Sequence, residues 1–353
     1  MRHYIAITMG DAAGIGPEIA VKALADEKIY ERTIPVVIGD RAPLEDAIAF
    51  CHSPLKLRAV AAPEEAKGEY GTIEFLDAGL LKKGDWAYKT VCASSGEAAF
   101  QYILTAIRLA MDRRVDAVVT GPINKEAINL AGHHYSGHTE IFAEYTHTPD
   151  YGMLLISKSL RVIHVTTHMS MRNACDYIRL QPEKVKAAIE LAAEAMRQLG
   201  IDRPKIAVAG LNAHSSENGL FGDEEAVSII PAIEQCRAEG IDADGPVPPD
   251  TVFVKAMSGQ YDVVVAMYHD QGHIPLKLSG FKLDLKTNRY TSMAGVNTTI
   301  GLPIIRTSVD HGTAFGKAGE GRASEESLID AVEVAETMMD KRFPLQEKEG
   351  ERV

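Results

Sequence analysis

The chain is poor in the features that mark whole classes of protein. Cysteine is scarce: Cys51, Cys92, Cys175 and Cys236 are widely spaced and form no Cys-x-x-Cys pair. That argues against a disulfide framework and against a thiolate zinc site. No apolar run approaches the ~18 residues of a membrane-spanning helix. The opening MRHYIAITMGD is too short and too soon interrupted for a signal peptide, so a cytoplasmic protein with no membrane partner is expected. Positive charge is in deficit, with 37 Lys and Arg against 49 Asp and Glu and a net charge of −12. A polyanion would be repelled, which argues against nonspecific nucleic-acid binding. A small anionic substrate needs only a local basic pocket and stays allowed.

The remaining composition, 46% apolar and 24% charged, is that of an ordinary globular enzyme. A length of 353 residues suits two domains better than one core. Short apolar runs alternate with helical patterns. Strands are predicted at 4–10, 34–40, 115–121, 152–157, 160–168, 205–212, 262–269 and 299–306. Most are continuous runs, as expected for strands covered on both faces. Helices are predicted over SSGEAAFQYILTAIRLAMDRR, with Ser94 and Glu97 in capping-box spacing, and over QPEKVKAAIELAAEAMRQLG, which starts near Pro182 and stops at Gly200. A third, SEESLIDAVEVAETMMDKR, closes the chain. This order predicts an α/β/α sandwich with a largely parallel sheet. The expected domains are 1–130 with 300–353, and 131–299, the second carrying most of the metal and substrate residues.

A dinucleotide fingerprint is also lacking. TMGDAAGIGPEIAVKAL follows a strand and opens a helix, and Asp40 ends the next strand where a ribose-binding acid would lie. The last glycine of G-x-G-x-x-G would fall at Ile19, so the segment reads as a tight strand–helix turn.

Three histidines share one context. His168 ends LRVIHVTTH, His214 follows KIAVAGLN, and His269 ends DVVVAMYH. Ligands bind at the carboxyl ends of strands in open α/β sheets. Three neutral imidazoles meeting there would make an open divalent-metal site. Singly, each reads as a hydrogen-bonded core or edge residue, and it is the repeated placement that points to a metal. Asp250 and Asp270 are nearby acids that would orient a ligand or contact the metal, or else cap a turn. His164 reads as structural and His273 as lining the loop. Lys277 and Arg306 follow on loops that suit a phosphate or carboxylate. Asn297 adds a hydrogen-bonding group, and GHTE sets His138 and Thr139 at a helix start, a natural anion site.

These segments together resemble the 4-hydroxythreonine-4-phosphate dehydrogenase family. The resemblance rests on TMGDAAGIGPE, VVTGPINKEAI, SGHTEIFAEY, LNAHSSENGLFG, MYHDQGHIPLK and GLPIIRTSVDHGTAF, and runs from residue 8 to about 315. It implies two α/β domains of the isocitrate and isopropylmalate dehydrogenase kind with a cleft between them. It implies an NAD-dependent enzyme, NADP being the alternative, with a divalent metal (Zn, Mg, Mn or Co) on His168, His214 and His269. Substrate contacts are implied at His138, Thr139, Lys277, Asn297 and Arg306, and Asp250 or Asp270 would tune the metal or pass a proton. A homodimer with the site at the subunit interface is implied as well. The implied reaction is oxidation at C3 of a 4-phosphorylated four-carbon acid, followed by decarboxylation.

Two departures bear on the substrate. HDQGHIPLK stands where an HDQGLPVLK-type sequence is expected in the vitamin B6 enzymes, and KLDLKTNRYTSMA (282–294) is longer than the expected link. The His after DQG resembles the branch that oxidises 4-phospho-D-threonate or 4-phospho-D-erythronate to dihydroxyacetone phosphate, which is expected over the branch acting on 4-hydroxy-L-threonine 4-phosphate. The 282–294 segment either alters specificity or is a surface insertion. A phosphate acyltransferase-like enzyme and a non-catalytic sugar-phosphate sensor are the readings from other classes, and neither needs three histidines.

Overall fold

A computed structural model describes residues 2–285, 289–293 and 295–343. From the N-terminus the chain forms β1 (His3–Thr8), α1 (Gly16–Ala23), α2 (Ile29–Arg32), β2 (Thr33–Gly39), α3 (Arg41–Phe50), β3 (Lys56–Ala59), β4 (Thr72–Asp77), α4 (Ala93–Met111), β5 (Ala117–Thr120), α5 (Lys125–Leu130) and α6 (His138–Tyr145). There follow β6 (Gly152–Ile156), β7 (Arg161–His164), α7 (Met171–Leu180), α8 (Pro182–Gln198), β8 (Ile206–Ala209), α9 (Ile230–Ala238), β9 (Ala243–Val247), α10 (Pro249–Met257), β10 (Val263–Ala266), α11 (His269–Gly280), β11 (Phe281–Asp284), β12 (Arg289–Met293) and β13 (Val296–Ile300). The chain then returns through β14 (Ile305–Val309) and α12 (Glu326–Arg342). The class is α/β, as the alternation of elements requires.

Packing divides the chain into two units, Met1–Pro149 with Leu302–Val353, and Asp150–Gly301. In the first unit the strands lie in the order β3-β4-β2-β1-β5-β14, every pair parallel. The inner strands β2 and β5 are buried at every position, which is why they read as largely apolar runs, and β14 is buried throughout as well. The edge strand β3, KLRA, is exposed and carries charge, a usual guard against edge pairing. The segment 131–149, expected in the second domain, belongs to the first unit, where α6 packs on α4.

In the second unit the order is β13-β6-β7-β10-β8-β9. β6 runs antiparallel to both β13 and β7, while β7, β10, β8 and β9 are mutually parallel. α8 covers this sheet with Val185, Ala188, Ile189, Ala192 and Met196, a helical-period stripe that is wholly buried. Among the described residues no helix is long and apolar enough to cross a membrane.

Several sequence expectations need correction. The run 299–306 is two strands, not one: Gly301 turns at φ +92, and a Cβ there would lie 2.5 Å from the Asp150 carbonyl oxygen. Pro303 then cannot donate to a ladder. The capping box of α4 does not form. Cys92 is the N-cap, Ser94 bonds to the Asp85 carbonyl, and Glu97 turns to Gln101 and His133. The segment 282–294 contributes β11 and β12, which pair antiparallel with an irregularity between Lys282 and Leu283. Residues 286–288 and 294 of that segment lie outside the described residues.

Candidate functional site

The second unit places three parallel strands side by side in the order β7-β10-β8. Their carboxyl ends are followed by His168, His269 and His214 respectively. β7 stops at His164, so His168 stands on a loop beyond it. That loop is tied to its neighbour: Val165 N donates to Ala266 O at 2.8 Å, and the Thr166 hydroxyl donates to Met267 O at 2.8 Å. His269 is the first residue of α11, with Tyr268 as N-cap.

Gln271, to which sequence reasoning gave no role, holds the strand ends in place. Its Oε1 accepts from Met267 N at 2.6 Å, and its Nε2 donates to Gly210 O at 2.8 Å. One buried side chain thus joins the exit of β10 to the exit of β8. The available signal was a polar residue in the HDQG run that follows a fully apolar strand.

The His168 and His269 rings lie 6.2 Å apart, beside a cavity of about 530 Å³ that Ser170, Tyr268 and Asp270 also line. Asp270 Oδ1 is 2.6 Å from His269 Nδ1, which leaves Nε2 as the donor atom for a ligand. The same bond holds the Asp270 carboxyl below its ordinary range. His273 stacks on His269 at 3.7 Å with Nδ1 2.9 Å from the His269 carbonyl oxygen, and it is buried rather than loop-lining. Burial pushes His273 down to about 4 and His164 to about 3, so both are neutral imidazoles. Gly272 is required here, because a Cβ would meet His164 Nε2 at 2.3 Å.

His214 opens a left-handed turn: His214, Ser215, Ser216, Glu217 and Asn218 have φ of 51, 54, 63, 45 and 59°. Such backbone costs about 1–2 kcal/mol per non-glycine residue and collects at functional sites. The buried Glu225 carboxylate anchors it, accepting from Leu211 N and Asn212 N at 2.8 Å each. Among the described residues of one chain, no group of three His, Cys, Asp or Glu side chains closes on a single cation position. The chain brings His168 and His269 together, and His214 stands at the adjacent strand exit.

The other expected residues of this unit are also located. Asp250 lies in the first turn of α10 and shares a groove of about 560 Å³ with Asp270, Tyr268 and Gln271. Lys277 is on α11, not on a loop, and its charge reaches Asp270 and His273. Asn297 sits in β13 opposite Leu155.

The anion-binding residues of the first unit gather separately. Arg306 lies inside β14 rather than at a strand end, and is only 1% exposed. Its guanidinium donates to Thr120 Oγ1 at 2.7 Å and lies 5.4 Å from the centre of the Phe142 ring. Burial lowers its pKa to about 9, with Glu140 opposing, so it stays charged at neutral pH. His138 and Thr139 form the first turn of α6 behind the N-cap Gly137. Burial, then the Arg306 and Lys125 charges, hold His138 neutral.

The glycine-rich turn after β1 is a packing device. A Cβ on Gly16 would lie 2.1 Å from the Met9 carbonyl oxygen. Asp40 is buried, accepting from Leu80 N at 2.7 Å and from the Tyr102 hydroxyl, which occupies the carboxylate a ribose would need.

A family model described as pyridoxal phosphate biosynthetic protein PdxA matches residues 31–335. A D-threonate 4-phosphate dehydrogenase of Cupriavidus necator is 49% identical over 329 residues, spanning 93% of this chain and 95% of the relative. A protein of the same description from Salmonella typhimurium is 47% identical over 332 residues, spanning 94% and 97%. The crystal structure of a 4-hydroxythreonine-4-phosphate dehydrogenase from Klebsiella pneumoniae matches with a TM-score of 0.84 at 44% identity, over 96% of this chain and 98% of the other.

Proposed function

Since the chain belongs to the PdxA family of pyridoxal phosphate biosynthetic proteins, and so is an oxidoreductase of the dehydrogenase kind, we propose that it oxidises a 4-phosphorylated four-carbon hydroxy acid at C3, using NAD and a divalent metal ion, and then decarboxylates it. The preferred substrate is 4-phospho-D-threonate or 4-phospho-D-erythronate, and the product dihydroxyacetone phosphate. The observation that carries the reading is the pairing of His168 and His269 over a cavity, with Asp270 orienting the second imidazole.

The donor set suits the metal: imidazoles at neighbouring strand exits, a carboxylate behind one of them, and a strained loop that carries His214. When bound, a cation on His168, His214 and His269 would supply Lewis acidity to the reacting hydroxyl, and NAD would supply the hydride acceptor. The protein's own residues do the rest. Asp250 or Asp270, both facing the α10–α11 groove, takes the hydroxyl proton. Arg306, His138 and Thr139 hold an anionic group, and Lys277 and Asn297 are further substrate contacts. The resulting 3-oxo acid breaks its C1–C2 bond, releases carbon dioxide and is protonated at C2.

A homodimer fits the exposed apolar face that Val254, Met257, Ile274 and Leu278 form on α10 and α11. The second reading, oxidation of 4-hydroxy-L-threonine 4-phosphate, draws on the name of the Klebsiella structure. NADH absorbance with metal-reconstituted protein separates the two. Turnover of 4-phospho-D-threonate and 4-phospho-D-erythronate alone supports the first, and turnover of 4-hydroxy-L-threonine 4-phosphate alone supports the second. Silence on all three, with metal bound, overturns both.

A further inference from the structure

We propose that Lys125 is a further substrate-positioning residue, whose ammonium joins Arg306 and His138 at the start of α6 to bind the phosphate of the substrate. The inference rests on the reading above for the identity of the ligand, and on the geometry of the first unit for everything else.

Lys125 is the first residue of α5, five positions beyond Thr120, the partner of Arg306. Its backbone is fixed from three sides. The Asn124 side chain caps α5 by accepting from Ala127 N at 2.9 Å, and Asn129 Nδ2 donates to the Lys125 carbonyl at 2.7 Å. α5 is also pressed onto α4, where a Cβ on Gly96 would lie 2.1 Å from the Ala127 carbonyl oxygen. A rigid helix start therefore aims a flexible four-carbon stem.

The stem reaches the start of α6. A Cβ on Gly137 would lie 3.7 Å from Lys125 Cε, so the lysine passes over the N-cap of the helix that carries His138 and Thr139. Lys125 is exposed, and among the described residues its ammonium has neither a hydrogen bond nor a salt bridge. His138 Nε2 is buried without a hydrogen-bond partner. The Lys125 and Arg306 charges thus both act on His138 at this helix start, and Glu140 opposes Arg306. Two cationic side chains acting on one buried imidazole nitrogen favour an anion at that point. A buried planar arginine and a mobile point charge together suit a phosphate dianion better than a single carboxylate.

A solvated surface lysine is the competing account, and charge-matched variants decide between them. Phosphate binding to the full-length protein is measured by calorimetry, with inorganic phosphate as probe, so that no turnover is required. Lys125→Met should weaken phosphate binding roughly 10- to 100-fold, the value of one hydrogen bond to a charged group. Lys125→Arg should restore most of it. Lys56→Met, the same charge change on the exposed edge strand β3, should leave it unaltered. With a phosphorylated substrate, Lys125→Met should raise KM by the same factor and change kcat by less than about threefold. Equal weakening by Lys56→Met and Lys125→Met, an unchanged phosphate affinity in Lys125→Met, or no phosphate binding by the wild type overturns the proposal. Phosphate binding that depends on Lys125 in a protein that turns over none of the three substrates overturns the functional reading and leaves the anion site standing.

Discussion

Replacing Gln271 with Leu tests whether one side chain sets the spacing of the proposed ligands. The glutamine is buried, accepting from Met267 N at 2.6 Å and donating to Gly210 O at 2.8 Å. Leucine matches its bulk but satisfies neither group. Met267 N–H and the Gly210 carbonyl would be left buried without these partners, at about 1–3 kcal/mol each. Burying an apolar side chain instead of an amide returns about 1 kcal/mol. The expected loss is therefore about 1–5 kcal/mol, confined to the second unit. The assay is urea unfolding followed by amide hydrogen exchange, which reports the two units separately. Exchange should accelerate at Val263–Ala266 and Ile206–Ala209, the strands the glutamine joins, and not at Ala117–Thr120 in the first unit. Divalent-cation affinity should fall with it, since the exits bearing His269 and His214 lose their common tie. A variant within about 0.5 kcal/mol of the wild type, or one whose first unit loosens equally, would refute this account of the site's scaffold.

Two further outcomes follow from the same structure. Asp270→Asn keeps the shape of the side chain but removes the carboxylate from His269 Nδ1, so divalent-cation affinity by calorimetry should drop roughly 10- to 100-fold with no loss of fold. Burial pushes the Glu336 carboxyl up to about 7, so its folded-state pKa lies above the unfolded one. Its contribution to stability is present in full below about pH 4.5 and is lost as pH rises through 7. Unfolding free energy should therefore decline by about 2–3 kcal/mol between pH 5 and 8, and Glu336→Gln should flatten that decline.

How much of this could be read from the residues depends on the range of the forces involved. The inner strands were legible because burial on both faces writes itself as an unbroken apolar run, as in VVVA and IAVA. α8 was legible for the same reason at a different period, with Pro182 and Gly200 marking its ends. The position of His168, His214 and His269 beyond strands could be read too, because a strand's end is a local event. Their neighbourhood could not: that β7, β10 and β8 are adjacent is a property of the sheet order. Arg306 was misplaced because TIGLPIIR carries no signal for the break at Gly301 other than the glycine and the proline. β3 and β9 were missed because their residues, KLRA and ADGPV, lack any apolar run.

The left-handed turn from His214 to Asn218 shows the limit most sharply. Nothing in HSSEN announces five consecutive residues with positive φ, since each residue type favours the opposite sign. The conformation is imposed from outside: Glu225 gathers the Leu211 and Asn212 amides, and a Cβ on Gly210 would meet the Ser215 hydroxyl at 2.5 Å. Local preference is overruled by a buried carboxylate about a dozen residues away. A fold that bears such a cost at the exit of β8, next to the strand whose exit carries His269, has invested stability in the backbone that carries His214.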